Sequence, residues 1–90
     1  MVFCSPNHAL AGKEALTDED LRAAHWIVRE SGSGTRQTFE RGLHGLVPEL
    51  DLALELEHTE AIKRAVEAGL GISCLSRVCL REAFKRGSLV

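Results

Sequence analysis

Between the β-prone run Trp26-Ile27-Val28 and a helical segment lies Ser31-Gly32-Ser33-Gly34-Thr35-Arg36. Two glycines open backbone angles that other residues resist. The first N–H groups of a helix have no partner within it, and the helix dipole places partial positive charge there. A glycine-rich entry lets an anion approach these groups, and Ser and Thr hydroxyls add donors. Ser31, Gly32, Ser33, Gly34 and Thr35 are therefore candidate contacts for a small polar or anionic ligand. The alternative is a plain turn in which Thr35 caps the helix. Two sharper phosphate motifs are excluded: no Lys follows the glycines as a P-loop requires, and Gln37 stands where a dinucleotide loop needs its third glycine.

Glu57-His58-Thr59 is a second junction of the same polarity. If its strand runs parallel to the first and beside it, both junctions face one edge of the sheet, where ligands of open α/β sheets bind. A solvated histidine before a helix is the plainer reading of His58. Ser73 adds a third hydroxyl, provided it sits near that same edge.

Catalysis and metal binding find little footing. No nucleophile elbow is present, and Gly32-Ser33-Gly34 is too tightly spaced for one. The scattered His residues and Cys4, Cys74 and Cys79 match no metal-ligand spacing. The reading is a protein that is not an enzyme, with no metal and no cofactor. Cys4 and Cys74 lie in apolar runs and read as core. Cys79 sits on a helix near Arg77 and Arg81 without a resolving partner.

The elements that must position these residues follow from periodicity and turn chemistry. Val2-Phe3-Cys4 reads as a strand closed by Ser5-Pro6-Asn7, and 9–16 as loop. Thr17 caps a short helix whose first turn carries Asp18, Glu19 and Asp20. A strand at 26–28 leads into the glycine loop, and a helix follows from Thr35 to His44, stopped by Gly45. Leucines at 50, 52, 54 and 56 alternate as in a strand with one buried face. Thr59 caps the next helix, with Ala61, Ile62, Ala65 and Val66 as its apolar stripe and Glu60–Arg64 as an ion pair. Gly69 ends it. Leu70–Leu75 reads as a buried strand, Ser76 caps a helix through Arg86, Gly87 ends that helix, and Leu89-Val90 begins a further element. Strands alternating with helices predict an α/β fold: a mostly parallel sheet with helices on both faces, joined by right-handed crossovers.

Ninety residues make one small domain, spanning 1–90. The net charge of −2 and the interleaving of acids and bases argue against this chain gripping nucleic acid. No run is long and apolar enough to cross a bilayer, no secretory signal is present, and unpaired cysteines suit a cytoplasmic setting. An element that starts at the first residue and another at the last suggest a piece of a larger protein.

Order and spacing together resemble the second lobe of the effector-binding domain of LysR-type transcription regulators. The resemblance rests on His8-Ala9-Leu10-Ala11 before an acidic helix, the loop Ser31–Arg36 after Glu30, Phe39-Glu40, and Glu60-Ala61-Ile62-Lys63 with Val66, Gly69-Leu70-Gly71-Ile72. Ala9 and Ser76 depart from it, each standing where Pro is common. It implies one lobe of a type 2 periplasmic-binding-protein-like fold, with a ligand cleft between this lobe and another. It also implies a small organic or anionic effector, promoter DNA bound only through an N-terminal winged helix outside these residues, no membrane partner, and homo-oligomers. By position, the family's effector site matches Ser31–Thr35 and Glu57–Thr59. Two other readings stand beside it: a lobe of a transport-type solute-binding protein, and an interaction module that binds nothing small.

Overall fold

Trp26, Ile27 and Val28 are consecutive in one strand and all three are buried. Successive strand side chains point to opposite faces, so all can be buried only where both faces are covered. The computed structural model, which describes residues 1–13, 15–43 and 45–90, shows how. In chain order it contains β1 (Val2–Phe3), α1 (Asp18–Ala23), β2 (His25–Arg29), α2 (Gly34–Gly42), a 3-10 turn (Val47–Glu49), β3 (Asp51–Leu56), α3 (Thr59–Glu67), β4 (Ser73–Cys74) and α4 (Arg77–Arg86). Trp26 and Val28 join a core with Leu21 of α1, Phe39 of α2, Leu46, Leu50 and Ile72. Ile27 joins a second core on the opposite face with Ile62 and Val66 of α3, Leu80 and Ala83 of α4, Phe3 and Leu89. Helices therefore cover both faces of β2, as the alternation predicts. The Trp26 indole N–H donates to the Leu21 carbonyl at 2.9 Å, and its ring lies 5.5 Å from that of Phe39. Loss of so large a core side chain costs about 3–5 kcal/mol.

The sheet is only partly parallel, which corrects the expectation of a mostly parallel one. β2 and β3 pair in parallel, whereas β1 and β4 pair antiparallel. The two ladders meet at a parallel bridge between Trp26 and Ile72, where the Ile27 N–H donates to Ile72 O and the Ile72 N–H to His25 O, both at 2.9 Å. Across the molecule the strands thus run β3, β2, β4, β1. Crossover helices link the parallel strands. β1 closes onto β4 from far along the chain, and no local signal sets its direction. Val90 continues that edge by exchanging backbone hydrogen bonds with Cys4.

The leucine alternation forms the expected strand but not the expected face. Trp26 pairs with Leu52 while Ile27 pairs with Leu54, so Ala53 is an extra residue on β3. Such a bulge reverses the facing of everything beyond it. Leu50 accordingly packs in the Trp26 core and Leu56 against the Ile27 core, while Leu52 and Leu54 remain 36% and 38% exposed on the outermost strand.

Helix ends differ from the sequence reading at several positions. Thr17 does cap α1, with a reciprocal bond from its own N–H to the Asp20 carboxylate. Ser33, not Thr35, caps α2 by accepting from the Arg36 N–H at 2.9 Å. His58, not Thr59, is the residue before α3, and its side chain makes no capping bond. Ser76 precedes α4, but its hydroxyl donates to the Cys79 sulfur at 3.2 Å rather than accepting from the helix. Glu60 pairs with Lys63 at 3.0 Å instead of Arg64. α2 ends at Gly42, and the expected last residue of that helix, His44, lies outside the described residues. Gly87 takes a left-handed conformation at φ 75° and ends α4 as expected.

Candidate functional site

Parallel pairing places the loops after β2 and β3, and the turn after β4, on one edge of the sheet. Since β2 lies between β3 and β4, the glycine loop is flanked on one side by Glu57–Thr59 and on the other by Leu75-Ser76. The starts of α2, α3 and α4 all open onto this edge.

Within the glycine loop, Ser31 and Gly32 are exposed and Ser33 is half-buried. Gly32 has φ +92° with open space where a side chain would stand, so the backbone conformation is what favours glycine there. The Ser33 hydroxyl oxygen accepts from Arg36, which leaves its own hydrogen free to donate. The N–H groups of Gly34 and Thr35 open α2 and have no partner within the helix.

Two arginines hold the loop in place, and neither stood out among the candidate ligand contacts. Arg36 donates to the Arg29 carbonyl at 2.9 Å and faces Glu55 of β3 at 3.3 Å and Glu40 at 3.6 Å. Arg29 holds Glu30 at 2.7 Å and donates to the Thr59 hydroxyl at 3.2 Å. The Arg29 guanidinium is the main cause that holds the Glu30 carboxyl below its usual range, with the neighbouring His58 adding a smaller pull. The second junction is thereby brought against the first: Thr59 is half-buried and bonded, while Glu57 and His58 are exposed beside it. The signal in the sequence was the pair of basic residues bracketing the loop, Arg29 before it and Arg36 after it.

Ser73 is placed elsewhere. It is 1% exposed, and its hydroxyl donates to the Ile27 carbonyl at 2.6 Å between neighbouring strands. That hydroxyl braces the sheet behind the loops and does not open onto their edge.

A cavity of about 490 Å³ opens on the other side of the loop. Gly34, Thr35 and Arg41 of α2 form one wall, and Ser76 and Cys79 at the start of α4 form the other. Cys74, expected in the core, is half-buried and lines it too. Cys4 is buried as expected, and burial pushes its thiol pKa up. The cavity thus combines two helix starts, hydroxyls and one guanidinium, a set suited to a small anion or polar acid. Among the described residues no group of three or more His, Cys, Asp or Glu is arranged to hold a metal ion, and no helix is long and apolar enough to cross a membrane.

Comparison with known proteins agrees with this architecture. Residues 1–90 match the family model described as the LysR substrate binding domain. An uncharacterized HTH-type transcriptional regulator, YeiE of Escherichia coli K12, is 46% identical over 89 residues, covering 99% of this chain and 30% of the relative. The regulator CbbR of Sinorhizobium medicae is 40% identical over 92 residues, covering 100% of this chain and 29% of the relative. The chain therefore spans under a third of these regulators' length. Among solved structures, the regulatory domain of Synechocystis CcmR in complex with 2-PG superimposes with a TM-score of 0.84 at 37% identity, over 99% of this chain and 43% of that one. The effector-binding domain of QuiR in complex with shikimate gives 0.74 at 19% identity, over 98% of this chain and 41% of that one. The QuiR likeness is one of fold.

Proposed function

From the premise that this chain belongs to the LysR substrate-binding domain family, we propose that residues 1–90 are one effector-sensing lobe of a bacterial transcription regulator. The observation that carries the reading is the shared edge of the sheet. There the glycine loop stands between the Glu57–Thr59 junction on one side and, on the other, the 490 Å³ cavity that Gly34 and Thr35 line between the starts of α2 and α4. Ser31, Gly32, Ser33, Gly34 and Thr35 supply N–H and hydroxyl donors, and Glu57, His58 and Thr59 border them. Ser73 acts through the sheet rather than by touching the ligand.

In this reading the effector is a small organic anion held between this lobe and a second one. Bridging the lobes favours a closed arrangement, and the difference in affinity between open and closed forms supplies the energy for the switch. Promoter DNA is read by a separate N-terminal domain, the assembly is a cytoplasmic homo-oligomer, and the lobe performs no catalysis. The relatives' identity as HTH-type regulators favours this over a transport-type solute-binding protein.

Because the CcmR regulatory domain was solved with 2-PG and is 37% identical here, 2-PG is the first compound to test. Calorimetric titration of the two-lobe domain should detect binding, and Ser31→Ala with Ser33→Ala should weaken it about tenfold, the equivalent of one to two lost hydrogen bonds. The 90-residue chain alone, supplying part of the contacts, should bind in the millimolar range or undetectably. Submicromolar binding by the single lobe would overturn the shared-cleft reading. Unchanged affinity in the double variant would remove the glycine loop from the site.

A further inference from the structure

The net charge of −2 conceals an uneven distribution. α4 carries Arg77, Arg81, Lys85 and Arg86 against Glu82 alone. Arg77, Arg81 and Lys85 recur every four residues and so form a row along one side of the helix, about 6 Å apart along its axis. All four cations are exposed. Among the described residues none of them forms an ion pair, although the chain's other arginines and lysines include five that do: Lys13, Arg22, Arg29, Arg36 and Lys63.

The row is separate from the candidate effector site. At 3.6 residues per turn, Arg81 lies about 160° around the helix from Cys79, which lines the cavity. The buried side of α4 is defined by Leu80 and Ala83. The cations therefore occupy a solvent face that neither the core nor the cavity uses. Unpaired like charges at one-turn spacing repel each other by a few tenths of a kcal/mol per pair in an isolated helix. A polyanion laid along the row relieves that repulsion and releases its own counterions.

We propose that the Arg77–Arg81–Lys85 face of α4 is an auxiliary contact for the phosphate backbone of duplex DNA, independent of base sequence. The choice of DNA over an acidic protein rests on the regulator reading above, since a regulator's sensing lobes are tethered close to the promoter its partner domain grips. Tethering raises the local concentration of DNA, so a contact of three or four cations contributes although it is weak alone. The acids elsewhere on the chain limit binding to one orientation, with α4 toward the duplex.

Fluorescence anisotropy of a short labelled duplex of arbitrary sequence, titrated with this chain at several salt concentrations, tests the proposal. The expected result is weak binding whose logarithm falls against the logarithm of salt with a slope of about −3, matching three phosphates. Substituting the duplex sequence should change nothing. The variant Arg77→Glu, Arg81→Glu, Lys85→Glu should lose at least tenfold in affinity while keeping its helical circular dichroism, the positions being exposed. Polyglutamate serves as the competing probe. Duplex binding that survives charge reversal would overturn the proposal. So would an absence of duplex binding, and so would tighter binding to polyglutamate than to the duplex, which would assign the face to an acidic protein. Reversal of Arg81 and Lys85 alone, both beyond the first turn of α4, should leave 2-PG binding to the two-lobe domain intact, so failure here and failure of the effector reading are separately visible.

Discussion

The Arg29 guanidinium donates to the Thr59 hydroxyl at 3.2 Å, tying the end of β2 to the start of α3. Each residue belongs to a different strand-to-helix junction, and the bond joins the two junctions into one rim. Arg36, bonded to the Arg29 carbonyl, extends that rim to α2. Thr59→Val keeps the shape and removes the acceptor. It should lower stability by about 1 kcal/mol and weaken 2-PG binding to the two-lobe domain severalfold by loosening the rim. Urea unfolding beside calorimetry reads both. Unchanged affinity with reduced stability would confine the bond to a structural role.

Ser73 and the glycine loop should behave oppositely. Ser73→Ala leaves the Ile27 carbonyl without its buried donor and should cost about 1–2 kcal/mol, with no change in effector affinity for the folded fraction. A loss of affinity at full folding would return Ser73 to the ligand contacts.

Two glycines are required for different reasons. A Cβ at Gly71 would stand 2.5 Å from the His25 backbone oxygen, where β2 passes close to the strand leading into β4. Gly71→Ala should therefore destabilise by about 1–3 kcal/mol through overpacking. Gly32 has free space but a positive φ, so Gly32→Ala should cost about 1–2 kcal/mol through backbone strain and reshape the loop. Thermal melts should show both losses, and only Gly32→Ala should reduce effector affinity beyond its effect on folding.

Acid sensitivity should include a contribution from Asp20. Lys13, bonded at 2.9 Å, and then the Thr17 N–H hold its carboxyl below the usual carboxylate range. A carboxyl whose pKa is lowered on folding stabilises the protein above its unfolded pKa, and that contribution is lost as pH falls through the folded value. Asp20→Asn should narrow the difference in stability between neutral and acidic pH, measured by urea midpoints. An identical pH dependence in the variant would show that this exposed pair contributes nothing.

The outer edge of β3 should support self-association. Leu52 and Leu54 are partly exposed on a strand whose outer edge has no partner among the described residues, and such edges pair readily. Sedimentation should find the chain associating at high concentration, and Leu54→Lys should shift it toward monomer. A clean monomer before substitution would remove β3 from any proposed homo-oligomer contact.

Composition and periodicity determined much of this. The apolar run 26–28 announced a strand, and the stripe from Ala61 to Val66 announced a helix. The glycine loop between strand and helix marked a place where backbone donors are left free. These are local properties, set by the two-residue repeat of strands, the 3.6-residue repeat of helices and the unsatisfied start of a helix. The direction of β1, the bulge at Ala53 and the inward turn of Ser73 were not local. A two-residue strand carries no mark of the partner it meets seventy residues later. An even row of leucines cannot announce a register shift that depends on packing against Trp26 and Ile27. Whether a serine faces a ligand or a neighbouring carbonyl depends on which strand lies beside it. Only tertiary structure could decide those points, because each is fixed by contacts between segments far apart in the chain.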